Sequence, residues 1–236
     1  MKNLFAILLL LTFFLIITSC SEDSNKPSDD NGSNVETVTI CDQVWMAKNL
    51  DVAHYRNGDS IPQVTDPGEW ANLTTGAWCY YDNDPANGEI YGKLYNWYAV
   101  NDPRGLAPEG WHIPSDKEWK QLEMCLGMSQ KDADEEVGDR GTHEGSKLAG
   151  DYDLWQEGDL QNNSEFGGSR FNGKPAGYRS YLNGNFFNIS DLGRWWSSTE
   201  YSSSRSICRH ISYNYSNVSR YRNNKTNGLS VRCVRD

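Results

Sequence analysis

Cys208 stands beside Arg205, Arg209 and His210, a place where a thiol, an imidazole and two guanidinium groups crowd together. Positive neighbours stabilise a thiolate, so this setting is expected to lower the Cys208 pKa toward a nucleophile. No partner completes that chemistry. His54, His112, His143 and His210 are scattered, and neither a Gly-x-Ser-x-Gly elbow nor a His-Glu-x-x-His pair is present. His112, between Trp111 and Ile113, is expected to be a packed, hydrogen-bonded structural residue. Carboxylates abound, as in any acidic chain, and no two are singled out as a glycosidase pair. Asp82, Asn83, Asp84, Asn87 and Glu89 offer oxygens for calcium, but Gly88 is one position late for an EF-hand loop. Pro85 favours a self-bonding Asx turn there instead. Without Cys-x-x-Cys or Cys/His ligand spacing, structural zinc is not expected. The expectation is a protein without catalytic residues, cofactor or metal.

Recognition is the chemistry the residue types favour. From 197 to 227 most positions are Ser, Tyr, Asn or Arg, which present adaptable hydrogen bonds and rigid amphipathic rings. Within it Tyr201, Arg205, Arg209, His210, Tyr213, Tyr215, Arg220, Tyr221 and Arg222 are the expected ligand contacts, carried on loops between 201 and 227.

Those residues need a scaffold. Val38, Ile40, Val44 and Trp45 read as two short strands around a turn at Asp42-Gln43. Ser115 and Glu118 form a Ser-x-x-Glu capping box, with Pro114 outside it. Trp119, Leu122 and Leu126 then repeat at helical spacing, and Gly127 supplies a left-handed stop. Residues 131–141 are charged and read as a solvated excursion. Residues 178–182 and 185–189 read as a hairpin around Asn183-Gly184, a pair that favours a type I′ turn. Further short strands are expected at 195–198, 207–213, 218–222 and 229–234. The fold class is α+β, with short strands, one well-capped helix and long loops.

The N-terminus supplies an address. Lys2 precedes an apolar run from Leu4 to Ile17, too short to span a bilayer comfortably and flanked as a signal peptide is. Ile17-Thr18-Ser19-Cys20 resembles a bacterial lipobox, so residues 1–19 are expected to be removed and Cys20 lipidated. Residues 20–34 are polar and acidic, a composition too poor in apolar surface to offset its ordering entropy, and are read as a tether. Ser21-Glu22-Asp23 resembles the export signal that sends Bacteroidetes-type lipoproteins to the exterior of the outer membrane. The formal net charge is −10, and loss of Lys2 makes the mature chain one unit more negative. Such a balance argues against nucleic acid or anionic lipid as partners. Cys41, Cys79, Cys125, Cys208 and Cys233 remain, an odd number whose pairing the sequence leaves open.

Six ordered segments resemble one known family, the Fibrobacter succinogenes major paralogous domain: QVWMAKNL (43–50), YYDNDP (80–85), YGKLYNWY (91–98), GWHIPSD (110–116), WWSSTE (195–200) and SVRCVRD (230–236). The resemblance runs from Val38 to the C-terminus, so 35–236 is read as that domain. It implies a secreted or surface lipoprotein and a C-type-lectin-like fold related to formylglycine-generating enzymes. Such a fold brings the strands near Val38 and Val231 together, with the tether and C-terminus at one pole. Those enzymes use a close pair of reactive cysteines before the closing strand; here Cys208 stands alone, so oxidase activity does not carry over. Cys41 occupies a position where the resemblance implies glycine, and Ala107-Pro108 one where it implies Cys-Pro. A disulfide from Cys79 to that second position is therefore not available.

Aromatic residues make up 12% of the chain, enough to serve both a core and a stacking surface. Trp45, Trp97, Trp111, Trp195 and Trp196 lie inside the resembling segments and Trp119 on the helix that follows one of them, and all six are expected in the core. Tyr201, Tyr213, Tyr215 and Tyr221 lie outside them, among polar residues. The Asn, Ser, Tyr and Arg bias also resembles the product of adenine-directed diversification in lectin-like surface proteins, although an ordinary polar loop accounts for it. The expected partner is a glycan or protein at the cell surface; the competing expectation is a structural cell-envelope component without a soluble ligand.

Overall fold

A computed structural model describes residues 35–236. The expected signal peptide (1–19), the Cys20 anchor and the tether (20–34) lie outside the described residues. In chain order the described strands are β1 (Thr37–Ile40), β2 (Gln43–Met46), β3 (Trp78–Cys79), β4 (Leu94–Tyr95), β5 (Trp111–His112), β6 (Gly138–Arg140), β7 (Ala176–Arg179), β8 (Phe186–Ile189), β9 (Leu192–Glu200), β10 (Arg205–Ser212), β11 (Val218–Asn224) and β12 (Val234–Arg235). The α-helices are α1 (Pro67–Ala71), α2 (Pro85–Tyr91), α3 (Trp97–Val100), α4 (Asp116–Cys125), α5 (Gln130–Asp134), α6 (Glu144–Leu148) and α7 (Asp159–Asn162). The class is α+β, with antiparallel sheets, and none of these helices is long and apolar enough to cross a membrane.

The β-favouring residues at the start form the hairpin β1–β2, in which Val38 faces Trp45. Its turn falls on Cys41 and Asp42, one residue earlier than expected, because Gln43 already pairs with Ile40. Cys41 holds φ 49, a left-handed conformation that glycine adopts without strain. It is bonded to Cys125 at the end of α4, a disulfide across 84 positions that ties the hairpin to the helix. The first sheet has the order β1-β2-β12-β5, with Val234 paired to both Trp45 and His112. Chain start and chain end thus meet in one sheet, two strand spacings or about 10 Å apart. Leu50 N–H extends the contact by donating to the Val231 carbonyl at 2.8 Å.

The second sheet, β6-β11-β10-β9, contains the long strands. The segment read as loops between 201 and 227 is therefore mostly β10 and β11, and only their connections are loops. Seven- and eight-residue strands form because Ile207, Ile211 and Val218 alternate with polar residues and bury one face. In β9 the period of two splits the Trp pair: Trp195 joins the cluster of Trp45, Trp119 and Phe171, whereas Trp196 joins that of Tyr95, Trp97 and Val231. All six framework tryptophans are buried as expected. Burial satisfies most of their N–H groups too: Trp195 donates to Asn49 at 2.8 Å, Trp196 to the Tyr95 carbonyl and Trp97 to the Ser197 carbonyl, both at 2.9 Å.

Helix α4 starts as its sequence dictates. Ser115 and Glu118 exchange the two hydrogen bonds of a capping box, and Gly127 closes the end at φ 120. Trp119 and Leu122 are buried, with Leu126 half-buried; between them Glu123 is buried completely. Two other expectations change. The hairpin β7–β8 exists, but Asn183 lacks the positive φ of a type I′ turn, and residues 180–185 form a wider loop. Tertiary hydrogen bonds select it: Tyr181 N–H donates to Asn227, and Arg179 donates through Nε to the Gly184 carbonyl at 2.7 Å. Residues 131–141 are largely exposed, but they are not an irregular excursion: they form most of α5 and all of β6 and bury Ala133 and Arg140.

Candidate recognition site on the C-terminal sheet

Strand periodicity assigns opposite roles to neighbouring residues of β10. Arg209, opposite Trp195 and Arg220, points toward α4, while Cys208 and His210 point the other way. The inner face is an ion network. Arg209 donates through Nε to Glu123 at 2.5 Å and through Nη1 to Asp116 at 2.8 Å. Arg140 donates to both Glu123 oxygens at 2.9 and 2.8 Å, and Arg220 to both Asp116 oxygens at 2.8 Å each. Burial alone would raise the Asp116 carboxyl, but hydrogen bonds from Arg220 and the charge of Arg209 outweigh it and hold its pKa down to about 2. Arg209 and Arg220, expected among the ligand contacts, are instead structural cations: Arg209 is fully buried and both are saturated by carboxylates. Arg222 is only partly available, paired with Glu136 and stacked 4.1 Å over the Tyr201 ring.

The outer face carries the remaining candidates. The His210 ring lies flat on the Tyr221 ring at 4.6 Å and 11°. Burial, reinforced by the Arg194 cation, pushes His210 down to about 3, so it is a neutral ring at physiological pH. Tyr221 and Tyr215 are 37% and 54% exposed. Tyr213 differs from this pair, being half-buried against the core cluster of Trp45 and Trp195. Tyr201 and Arg205 are exposed at the β9–β10 connection, away from this pair of rings by strand register. The nine candidates therefore divide: His210 and Tyr221 belong to the outer face, Tyr215 is exposed on the β10–β11 connection, and the others are inner, core-packed or at the β9–β10 connection.

Three residues of the outer face escaped sequence reading. Arg194 of β9 is the register partner of His210, and its guanidinium lies 4.2 Å from the Tyr178 ring centroid. Tyr178 in turn stacks on Phe187 at 5.7 Å and 29°. The signal was period two from the Trp pair, which sets Arg194 on the same face as Trp196, but the partner strands β7 and β8 were not placed.

The thiols are not activated. Burial raises the Cys208 pKa against the opposing charges of Arg194 and Arg209, so the cationic neighbourhood does not lower it, and Asn223 donates to its sulfur at 3.7 Å. Burial likewise pushes Cys79 and Cys233 up to about 12. Elsewhere, Asp84 caps α2 by accepting from Ala86 N–H at 2.9 Å, the Asx geometry expected of that segment. Among the described residues no cluster of His, Cys, Asp or Glu is suited to a metal ion. His112 bridges Glu118 and Asp236, each at 2.7 Å.

Disulfide, buried tryptophans and inner ion network together define an α+β domain built to present a rigid C-terminal sheet. Comparison with curated proteins and with solved structures finds no match. The chain belongs to the Fibrobacter succinogenes major domain family, whose model matches residues 38–235.

Proposed function

We propose that this chain is a surface-exposed bacterial lipoprotein whose domain is a non-catalytic recognition module of C-type-lectin-like fold, binding a glycan or protein ligand through its C-terminal sheet. The observation that carries the reading is the outer face: exposed Tyr221 with the neutral His210 stacked on it, on strands hydrogen-bonded to both neighbours, and exposed Tyr215 on the connection between those strands. Rings on a rigid sheet bind with little ordering cost. Ile17-Thr18-Ser19-Cys20 supports lipid anchorage at Cys20, and Ser21-Glu22-Asp23 supports display on the outer membrane toward the exterior. The meeting of β1 with β12 through β2 supports the lectin-like reading.

Glycan arrays and surface-extract pull-downs with the wild-type chain and a Tyr215→Ala/Tyr221→Ala variant test it. Ligand capture by the wild type that the variant loses is the expected result. Equal capture by both removes the outer face as the site, and stable envelope complexes without array binding favour a structural component.

A further inference from the structure

We propose that the outer face binds an acidic carbohydrate, with Arg194 gripping the anionic group and the exposed rings of Phe187 and Tyr221 on either side receiving the sugar. This rests on reading that face as a recognition surface and names its ligand class.

The state of the arginines carries the inference. Arg140, Arg209, Arg220 and Arg222 are matched to carboxylates, and Arg179 and Arg232 donate to backbone carbonyls. Arg194 has no hydrogen-bond acceptor among the described residues, and its Nε is shielded from solvent without a partner. Among the described residues no carboxylate forms an ion pair with it. The acid on this face, Asp139, bonds Ser219 instead, at the edge strand β6. A half-buried guanidinium with open donors is matched to a planar anion, which it grips with two parallel hydrogen bonds.

The surroundings favour a sugar over a peptide. On one side Tyr178 and Phe187 form a stacked pair, and on the other His210 and Tyr221 form a second, so the cation sits between two ring platforms. Phe187 and Tyr221 are 39% and 37% exposed, which leaves ring area for the C–H faces of a pyranose. An acidic peptide would gain most from a free strand edge. Arg194 itself lies on no free edge: the neighbouring β10 is paired on both sides, and the Arg194 carbonyl of β9 accepts from Ser230 N–H at 3.1 Å, so an added strand could pair only at the more distant β6 or β8.

The test is calorimetric titration of the full chain with trigalacturonate, sialyllactose and a chondroitin sulfate hexasaccharide, against lactose, maltotriose and a hexaglutamate peptide. At least one acidic sugar is expected to bind, with the neutral sugars weaker. Arg194→Gln, checked for native circular dichroism, should weaken it roughly tenfold to hundredfold, the range for a charged hydrogen-bonding group. Arg194→Lys keeps the charge without the fork and should fall between, which preserves the test should Arg194→Gln fail to fold. Tyr221→Ala should also weaken binding. The proposal is overturned by acidic-sugar binding that Arg194→Gln and Arg194→Lys leave unchanged, by absence of binding to all three acidic probes, or by preference for hexaglutamate. Neutral sugars bound as well as acidic ones, and lost in Tyr221→Ala, would overturn the acidic assignment and leave the recognition surface standing. Array silence with every sugar and protein extract would remove both.

Discussion

Glu123→Gln should be among the most damaging isosteric substitutions in this domain. The carboxylate is wholly buried and accepts from Arg140 through both oxygens and from Arg209 through one. After the change a single amide oxygen is left to accept from Arg140 and Arg209, the new NH2 faces their donors, and no negative charge offsets Arg140, whose other partner is the Ala133 carbonyl at 3.0 Å and whose Nε is already unpartnered; Arg209 keeps Asp116. Removing one member of a buried pair strands the other charge and costs about 3–5 kcal/mol. For a domain of this size each kcal/mol moves Tm by about 2–4 °C, so a fall of roughly 6–20 °C is expected. Urea unfolding followed by tryptophan fluorescence reads the loss as a lower midpoint at unchanged slope. Lys48→Ala serves as the control, because its pair with Glu36 is 70% and 65% exposed and should contribute nothing measurable. Glu123→Leu combined with Arg140→Met, which removes the stranded charge, should recover part of the deficit. A loss below about 1 kcal/mol for Glu123→Gln would refute the view that this network anchors the sheet.

The neighbouring carboxylate sets an acid limit. Asp116 falls from 3.8 to about 2 in the folded state, so its contribution is present above the unfolded value and is lost as pH falls through 2. That contribution is about 2 kcal/mol, and Asp116→Asn should flatten the acid limb of a plot of stability against pH. His112 titrates with the opposite sign. Burial opposes its charged form, but hydrogen bonds to Glu118 and Asp236 outweigh burial and raise its pKa. Its contribution is full below the unfolded value of 6.5 and is lost as pH rises through the raised folded value, so His112→Gln should abolish that slope, and an imidazole chemical-shift titration should place the midpoint above 6.5. Loss of the Cys41–Cys125 disulfide opens a cross-link over 84 positions and should cost roughly 4–5 kcal/mol on the chain-entropy estimate, read as a lower midpoint for Cys41→Ser under non-reducing conditions. Cys20→Ala should abolish incorporation of labelled palmitate and release the chain from the membrane fraction; retained label would dismiss lipid anchorage at that residue.

Local rules made α4 and the first hairpin legible. A capping box, a helical repeat and β-branched alternation act within a few residues, and all three were realised at Ser115, Trp119 and Val38. What was not legible depended on distant partners. Arg140, within the charged run 131–141, looks solvated like its neighbours until β6 is paired to β11 and its guanidinium meets the buried Glu123 of α4. Asn183-Gly184 carries the local preference for a tight turn, yet Asn227 and the Arg179 side chain hold a wider one. At the candidate site, His210, Tyr215 and Tyr221 were found by composition alone. Arg209 and Arg220 were misjudged because composition does not distinguish the two faces of a strand, and Arg194 was missed because its ring platform comes from β7 and β8.

The same alternation bears on how this segment can change. In β10 and β11, Arg209 and Arg220 hold the sheet to α4 through Asp116 and Glu123, while His210 and Tyr221, one residue away in each strand, make no ion pair to it. Replacing an inner-face residue strands a buried carboxylate; replacing an outer-face residue leaves the network intact and alters only what the sheet presents. A polar bias spread over 197–227 therefore cannot reflect free variation of the whole stretch. Low-cost variation is confined to exposed outer-face positions such as Tyr221 and to connections such as that bearing Tyr215, since Ser206, Cys208 and Ser219 on the same face are buried. Variable and structural positions are thus interleaved along each strand, and the proposed recognition surface would have to be drawn from the former.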